Sequence, residues 1–204
     1  IDRIAQLDGQ AIDLLGARIT AVGLDATARL ADGLAADGTV TAKSDRVDAR
    51  VDVGMSPQAF TIKPGGSASL QLDAAAAQKV MNRYFGDSEQ LNVTDPLKID
   101  VAFKGVTLPR GDEGISLPAL AANVDVAVPF IGMEDQVLNS RVTFKDVKTV
   151  LANERLGEQV RLTTTGAVRV APRDEATDEP YAPIDVLVNA RGLFDDAGRF
   201  STQY

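Results

Sequence analysis

The chain of 204 residues contains no histidine, no cysteine and no tryptophan. Without His and Cys, it cannot build a Ser-His-Asp or Cys-His catalytic system, an imidazole or thiolate metal site, or a disulfide. An enzyme made from this sequence would have to use carboxylates, Lys, Tyr or hydroxyl groups. A lack of Cys fits cytosolic proteins and bacterial envelope proteins equally well, so it leaves the compartment open.

Aromatic residues are also scarce, at 5% of the chain. The sequence has no glycine-rich phosphate loop of the dinucleotide or Walker type and no nucleophile-elbow pentapeptide. We therefore expect a protein that is not an enzyme and that holds no cofactor and no metal. A hydrolase built on two carboxylates stays as a third alternative, because the separation of two acids in space cannot be read from sequence.

The chain also lacks a cluster of basic residues and a long apolar run. The 21 Lys and Arg are interspersed among 29 Asp and Glu, which gives a net charge of -8 and argues against a nucleic-acid partner. The apolar runs are only a few residues long, whereas a membrane-spanning helix needs about 20. No secretory signal pattern stands at the start. Since the sequence begins with Ile1 rather than Met, we expect a piece of a longer protein, with any membrane anchor outside this chain.

The dominant pattern in the sequence has a period of two, which places alternate side chains on opposite faces of a β-strand. From Leu97 to Phe103, for example, the odd positions are apolar and the even ones are Lys, Asp and Ala. Similar alternation predicts about ten strands. They cover residues 19–30, 39–42, 47–53, 59–63, 67–72, 97–103, 120–128, 142–147, 160–170 and 184–190.

Strands with one apolar and one polar face are typical of antiparallel sheets. Residues that favour turns separate them, and neighbouring strands are expected to pair as a meander. The turns are predicted at Asp32-Gly33, Asp37-Gly38, Pro64-Gly65-Gly66, residues 110–114 and residues 195–198. Apolar residues are absent from most of the stretch 171–180, which we interpret as a long hairpin loop. Residues 1–204 are interpreted as one β-rich domain, or as a segment of a longer repeat-like β body.

One segment departs from this pattern and is predicted to be a helix. Asp73 is a favourable N-cap, residues 74–85 have high helix propensity, and Gly86 can terminate the helix. Ala76, Ala77, Val80, Met81 and Tyr84 fall on one stripe of that helix, which should lie on an apolar sheet face. Residues 150–156 are a second candidate for a helical turn.

A mainly β protein, with a large curved antiparallel sheet and one short helix near 74–85, must cover the apolar face of its sheet. A second sheet can cover it in a sandwich, the sheet can close into a barrel, or a trough can accept an apolar ligand. From the strand pattern alone, the sandwich is the default architecture.

The order of elements adds a further indication. Residues 70–85 hold a strand and the helix, a polar spacer follows, and residues 96–109 hold an alternating strand and Leu108-Pro109. Further alternating segments follow at 121–126, 141–147 and 186–199, and an early one lies at 24–30. This arrangement resembles the β-rich bodies of the AsmA-like and TamB-like proteins of the bacterial cell envelope.

The resemblance implies a trough-like sheet in the periplasm, with an inner-membrane anchor outside this chain and an apolar groove that conducts phospholipid between membranes. It brings no catalytic residues. The candidate lipid-facing residues are aliphatic or aromatic and lie on the alternating strands: Leu97, Ile99, Val101, Phe103, Val124, Val126, Val128, Val168, Val170, Ile184, Val186 and Val188. The expected role is therefore phospholipid binding or conduction, or scaffolding of outer-membrane biogenesis. The alternative is a β-sandwich interaction or adhesion module of a large extracellular or phage-type assembly.

Overall fold

The computed structural model describes residues 13–14, 17–18, 21–29, 35–85, 90–111, 114–115, 120–153, 161–173, 182–194 and 200–203. This part of the chain contains one helix, α1 (Ala74–Phe85), and fifteen strands. The strands are β1 (Asp13–Leu14), β2 (Ala17–Arg18), β3 (Ala21–Arg29), β4 (Ala35–Lys43), β5 (Val47–Met55), β6 (Ala59–Ile62), β7 (Gly66–Leu72), β8 (Leu91–Val93), β9 (Leu97–Gly111), β10 (Gly114–Ile115), β11 (Ala121–Asp135), β12 (Ser140–Ala152), β13 (Arg161–Pro172), β14 (Ile184–Phe194) and β15 (Phe200–Gln203).

The fold is mainly β, with one large antiparallel sheet and one short helix, as the sequence predicts. The sheet follows the chain order from β3 to β15, apart from β1 and β2, which pair with each other. Strands β6 and β7 both lie between β5 and β9, one after the other, and act as two halves of one long strand. Strands β8 and β9 share the edge of β11 in the same way. The predicted meander is therefore confirmed. At two positions in the sheet, two consecutive strands lie end to end where a simple meander has one strand.

Helix α1 has the predicted bounds, because its signals are local. The Asp73 side chain accepts a hydrogen bond from the backbone N–H of Ala76 at 2.8 Å, the geometry of an N-cap. Arg46 forms an ion pair with the other Asp73 oxygen at 2.7 Å. Farther along the helix, the Gln78 side chain accepts a hydrogen bond from the backbone N–H of Val93, which ties α1 to β8. The predicted helix terminator Gly86 lies outside the described residues.

The buried core of the described residues is small and lies under the helix. Leu72, Ala76 and Ala77 are buried together, and Leu70, Val80, Val93 and Leu97 pack against them. Two members of the predicted helix stripe are thus buried and a third packs beside them, so the helix does lie on an apolar sheet face. The side chain of Tyr84 is outside the described part.

Most of the sheet forms a single layer. Nearly all described strand residues away from the helix are half-buried or exposed. Among the described residues, a twelve-residue helix covers one side of this sheet only in part.

Two β-bulges change which residues face which side. On β9, Gly105 has a φ of 139°, and the register with β11 shifts next to it. On β12, Asp146 has a φ of 52°, and the register with β13 shifts between Lys145 and Lys148. A bulge inserts one residue into one strand and reverses the side-chain alternation beyond it.

Some local predictions were wrong. Asp37-Gly38, predicted as a turn, lies inside β4, because both residues pair with β3 on one edge and with β5 on the other. Residues 150–152 continue β12 by pairing with β13 rather than forming a helical turn. The predicted loop at 171–180 begins later, since Ala171 and Pro172 belong to β13, and residues 174–180 lie outside the described residues.

The small core under α1 makes a direct prediction. Leu72 is 2% exposed, so Leu72→Ala should lower the free energy of unfolding by about 2–4 kcal/mol through lost burial and a cavity. Leu138→Ala, at a residue that is 67% exposed, is the matched control and should change it by less than about 0.5 kcal/mol. Urea unfolding followed by circular dichroism measures both; equal effects would contradict a core at this position.

Candidate functional site

The strand registers determine which side chains share a face of the sheet. Residues that lie opposite each other in an antiparallel pair point to the same side. Following the pairs from strand to strand places all twelve candidate lipid-facing residues on one side, which we call the apolar face. The other side is called the polar face.

One row of paired residues shows the composition of the apolar face. It crosses eight strands from β4 to β14 without a charged side chain. The row is Ala42, Ala49, Ala68, Val101, Val126, Thr149, Thr164 and Ala190.

The next row, one residue along each strand, points to the opposite side and has a different composition. It contains two cationic and two anionic side chains, with hydroxyl and amide groups between them. The row is Lys43, Asp48, Ser69, Asp100, Ala127, Lys148, Thr165 and Asn189. Adjacent rows therefore sort apolar from polar residues over most of the width of the sheet.

The apolar face is well exposed on β14 and partly exposed on the interior strands. Ile184 is 55% exposed and Val186 is 47% exposed. The candidates on β9, β11 and β13 are half-buried by their neighbours in the sheet. Within the described ranges, α1 is the element that packs on this face, and it covers the area around Leu70, Leu72 and Leu97.

The structure adds residues to the apolar face that the alternation in sequence did not identify. Phe144 lies opposite Ile131 on one side and Val168 on the other, and Val142 lies between Met133 and Val170. Counting every second residue along β12 from Val147 misses them, because the bulge at Asp146 reverses the alternation. The signal in the sequence for this bulge is Asp146 itself, in the middle of the strand, because Asp adopts positive φ more readily than most residues.

The charged residues pair with each other on or at the rim of the polar face. Ion pairs there have N–O distances from 2.7 to 3.7 Å. They are Lys63–Asp37, Lys98–Asp100, Lys104–Asp125, Lys148–Asp125, Arg141–Asp95, Arg169–Asp185 and Arg173–Glu134. Because most of these side chains are well exposed, each pair contributes about 0–1 kcal/mol, and their main effect is to keep this side of the sheet hydrated.

Asp125 is the best shielded of these carboxylates. Its side chain is 15% exposed, and one oxygen lies 2.9 Å from the Lys104 ammonium and 3.4 Å from that of Lys148. The hydrogen bond from Lys104 lowers the pKa of Asp125, and burial opposes this effect in part. The hydrogen bond from Lys98 similarly lowers the pKa of Asp100.

An open groove of about 770 Å³ runs over this part of the polar face. Asp48, Ser69, Gln71, Lys98 and Asp100 are among the residues that line it. Two of the acids that line the groove, Asp100 and Asp125, pair with lysines, and the hydrogen bonds from these lysines lower the pKa of each carboxyl group. A carboxyl group with a lowered pKa is ionised at neutral pH and is a poor general acid.

Comparisons with protein-family models, with curated proteins and with solved structures gave no match. Among the described residues, no helix has the length and apolar character required to span a bilayer. In the same part of the chain, no three acidic residues cluster as ligands for a metal ion.

The ion pairs of Asp125 predict a pH-dependent loss of stability. A carboxylate with a lowered pKa in the folded state stabilises the fold above its unfolded value near 4, and this contribution disappears as the pH falls through the folded pKa. Asp125→Asn should therefore lower the free energy of unfolding by about 1 kcal/mol at pH 7, and the difference from wild type should vanish in acid.

Urea unfolding at a series of pH values measures this difference. Asp185→Asn is the matched control, because that carboxylate is 68% exposed and lies 3.7 Å from Arg169. It should change stability by less than about 0.5 kcal/mol at any pH. A difference between wild type and Asp125→Asn that persists unchanged at low pH would contradict the electrostatic explanation.

Proposed function

We propose that this chain is a non-enzymatic segment of a bacterial envelope protein whose apolar sheet face binds or conducts phospholipid. The observation that carries the proposal is the sorting of side chains: one row of paired residues crosses eight strands without a charged side chain, and the adjacent row on the opposite face is polar and charged. Soluble proteins rarely expose large continuous apolar patches without a binding partner.

The dimensions of the apolar face fit lipid chains. Eight strands in a row are separated by seven spacings of about 4.8 Å, so the row from Ala42 to Ala190 is about 34 Å long. This length is on the order of the hydrocarbon thickness of a bilayer, about 30 Å. An acyl chain needs a continuous apolar lining and no specific hydrogen bonds, and small aliphatic side chains provide such a lining.

The polar face supports the same role by remaining in water. Several of its lysines and arginines form ion pairs with acids at the surface, which keeps this side of the sheet hydrated. A sheet with one hydrated and one apolar side can hold lipid chains on the apolar side alone. This division also agrees with the resemblance to AsmA-like and TamB-like proteins and with a periplasmic location. The membrane anchor would lie outside this chain.

The proposal predicts that charge on the apolar face removes bound lipid. Val168 and Val186 lie opposite each other on β13 and β14, so the double variant Val168→Asp/Val186→Asp places two carboxylates on that face. Phospholipid retained through purification, measured by native and denaturing mass spectrometry, should fall about tenfold or more, because a charge buried against acyl chains is costly.

The neighbouring residues provide a matched control. Ala167 and Leu187 lie opposite each other on the same two strands but on the polar face. Ala167→Asp/Leu187→Asp therefore adds the same two charges and should retain the wild-type amount of lipid.

Wild-type protein free of lipid, or equal lipid loss in both double variants, would overturn the proposal. If the wild type carries no lipid and Val168→Asp/Val186→Asp unfolds while the control stays folded, the apolar face is a closed core. That result would favour the alternative, an interaction or adhesion module in which another β-sheet covers this face.

A further inference from the structure

The turn between β11 and β12 exposes two aliphatic side chains next to each other. Residues 136–139, which we call the hairpin tip, read Gln-Val-Leu-Asn. Val137 is 68% exposed and Leu138 is 67% exposed. Turns between strands are built mostly from Gly, Pro, Asn, Asp and Ser, so a Val-Leu pair at this position is unusual.

The geometry of the turn does not require these two residues. The Asp135 side chain accepts hydrogen bonds from the backbone N–H groups of Val137 at 2.9 Å and Leu138 at 3.0 Å, and so forms the start of the turn. Asn139 closes the turn with a φ of 46°, a left-handed conformation that Asn adopts more readily than most residues. Since the flanking residues provide the turn, the fold itself does not explain the aliphatic side chains at positions 137 and 138.

Backbone hydrogen bonds hold the hairpin tip from both sides. The N–H of Gln136 donates to the carbonyl oxygen of Gln90 at 2.9 Å, and the N–H of Arg173 donates to that of Asn139 at 2.9 Å. A partner that covers the tip therefore has no loop to reorder. Strands β11 and β12 lie in the interior of the sheet, so strands added at either edge of the sheet would not cover the tip.

The apolar face leads to the hairpin tip. Met133 lies opposite Val142, and Ile131 lies opposite Phe144, on the two strands that the tip connects. Ile184 on β14 lies at the same end of the strands and is 55% exposed. The tip is thus one end of the apolar face.

We propose that the hairpin tip inserts into the interfacial region of a phospholipid bilayer and marks the end of the apolar face at which lipid enters. This inference rests on the proposed binding of phospholipid by that face. A stable protein interface uses about 20–30 residues on each side, far more than the tip offers. Insertion into a bilayer needs no matching surface, and its free energy comes from the apolar area removed from water.

The charges near the tip suit a bilayer of zwitterionic lipid. The four residues of the tip carry no charge. Behind them, Arg141 pairs with Asp95 at 3.0 Å and Arg173 pairs with Glu134 at 3.2 Å. Neither sign of charge dominates in these pairs, so insertion depends on apolar contact rather than on attraction to anionic headgroups. Added salt should therefore change it little.

The absence of tryptophan from the chain allows a direct test. In Leu138→Trp, the single tryptophan keeps an apolar group at the tip and reports its surroundings. Leu187→Trp is the control, because Leu187 is 87% exposed but lies on the polar face within β14. One acyl chain gives only marginal membrane binding, so contact through two side chains is measured with phosphatidylcholine vesicles at millimolar lipid.

The emission of Leu138→Trp should shift to shorter wavelength when vesicles are added. Brominated phosphatidylcholine should quench it at least about threefold more strongly than it quenches Leu187→Trp, because aromatic side chains at a bilayer interface contact lipid. Unchanged emission at every lipid concentration, or equal quenching of the two variants, would overturn insertion of the tip.

A charge at the neighbouring position tests the apolar origin of the insertion. Val137→Asp added to Leu138→Trp should weaken the partition into vesicles at least about tenfold, because a carboxylate must then leave water. An unchanged partition would contradict the proposal. Both residues are exposed, so the variants should stay folded, which circular dichroism checks.

The entry role predicts a change in rate but not in amount. Val137→Ser/Leu138→Ser should slow the uptake of a fluorescent phospholipid from vesicles about fivefold or more, because the tip no longer inserts. The amount bound at saturation should stay at the wild-type level, since the lining of the apolar face is unchanged. Leu187→Ser should match the wild type in both quantities. A wild-type rate in the tip variant, or an equal fall in rate and amount, would overturn the entry role.

These outcomes separate the inference from the proposed function. If the wild type retains phospholipid while the tip neither inserts nor affects the rate, the proposed function stands and the inference is overturned. If the tip inserts but the wild type retains no phospholipid, the proposed function and the entry role are both overturned, and the tip is a membrane contact alone.

Discussion

The whole arrangement depends on the side-chain alternation of β-strands being kept in register across the sheet. A shift by one residue in any pair would move apolar side chains to the hydrated side. In this sheet, opposite residues match in polarity from β4 to β14, so the alternation in each strand adds up to two different surfaces. The bulges at Gly105 and Asp146 preserve this match, since they reverse the alternation where the partner strand requires it.

A single layer of this kind has little buried core, and the helix supplies what there is. Leu72, Ala76 and Ala77 are buried because α1 packs on the sheet beside β7, where Leu72 lies opposite Leu97 of β9. Elsewhere, stability must come from backbone hydrogen bonds and from cross-strand pairs that are each worth about 0.2–1 kcal/mol. An apolar ligand that covers exposed surface would add to this stability by mass action.

The sequence was informative where structure depends on neighbouring residues. The helix bounds followed from the Asp73 cap and the propensity of residues 74–85, and the centres of the main strands followed from alternation. Strand ends were less predictable. Strands β9 and β11 extend well beyond their alternating parts, through Gly105 and Pro129, because pairing with a long neighbour outweighs the low strand propensity of these residues.

The face to which each strand contributes could be predicted in part. Val101, Val126 and Val186 were grouped on the strength of alternation alone, and the registers confirm that they share a face. The membership of Phe144 and Val142 depends on a bulge, which is seen in the register with β13. Such a register is a property of contacts distant in sequence, which local patterns do not encode.

The most direct measurement of the central claim uses single thiols on an interior strand, at positions 168 and 167, introduced by Val168→Cys and Ala167→Cys. Their reaction rates with a water-soluble maleimide are compared with and without phospholipid vesicles. The account predicts that both thiols react in the absence of lipid and that lipid protects position 168 alone. A thiol at position 168 that is unreactive without lipid in the folded protein, or equal protection of both positions, would contradict an open apolar face.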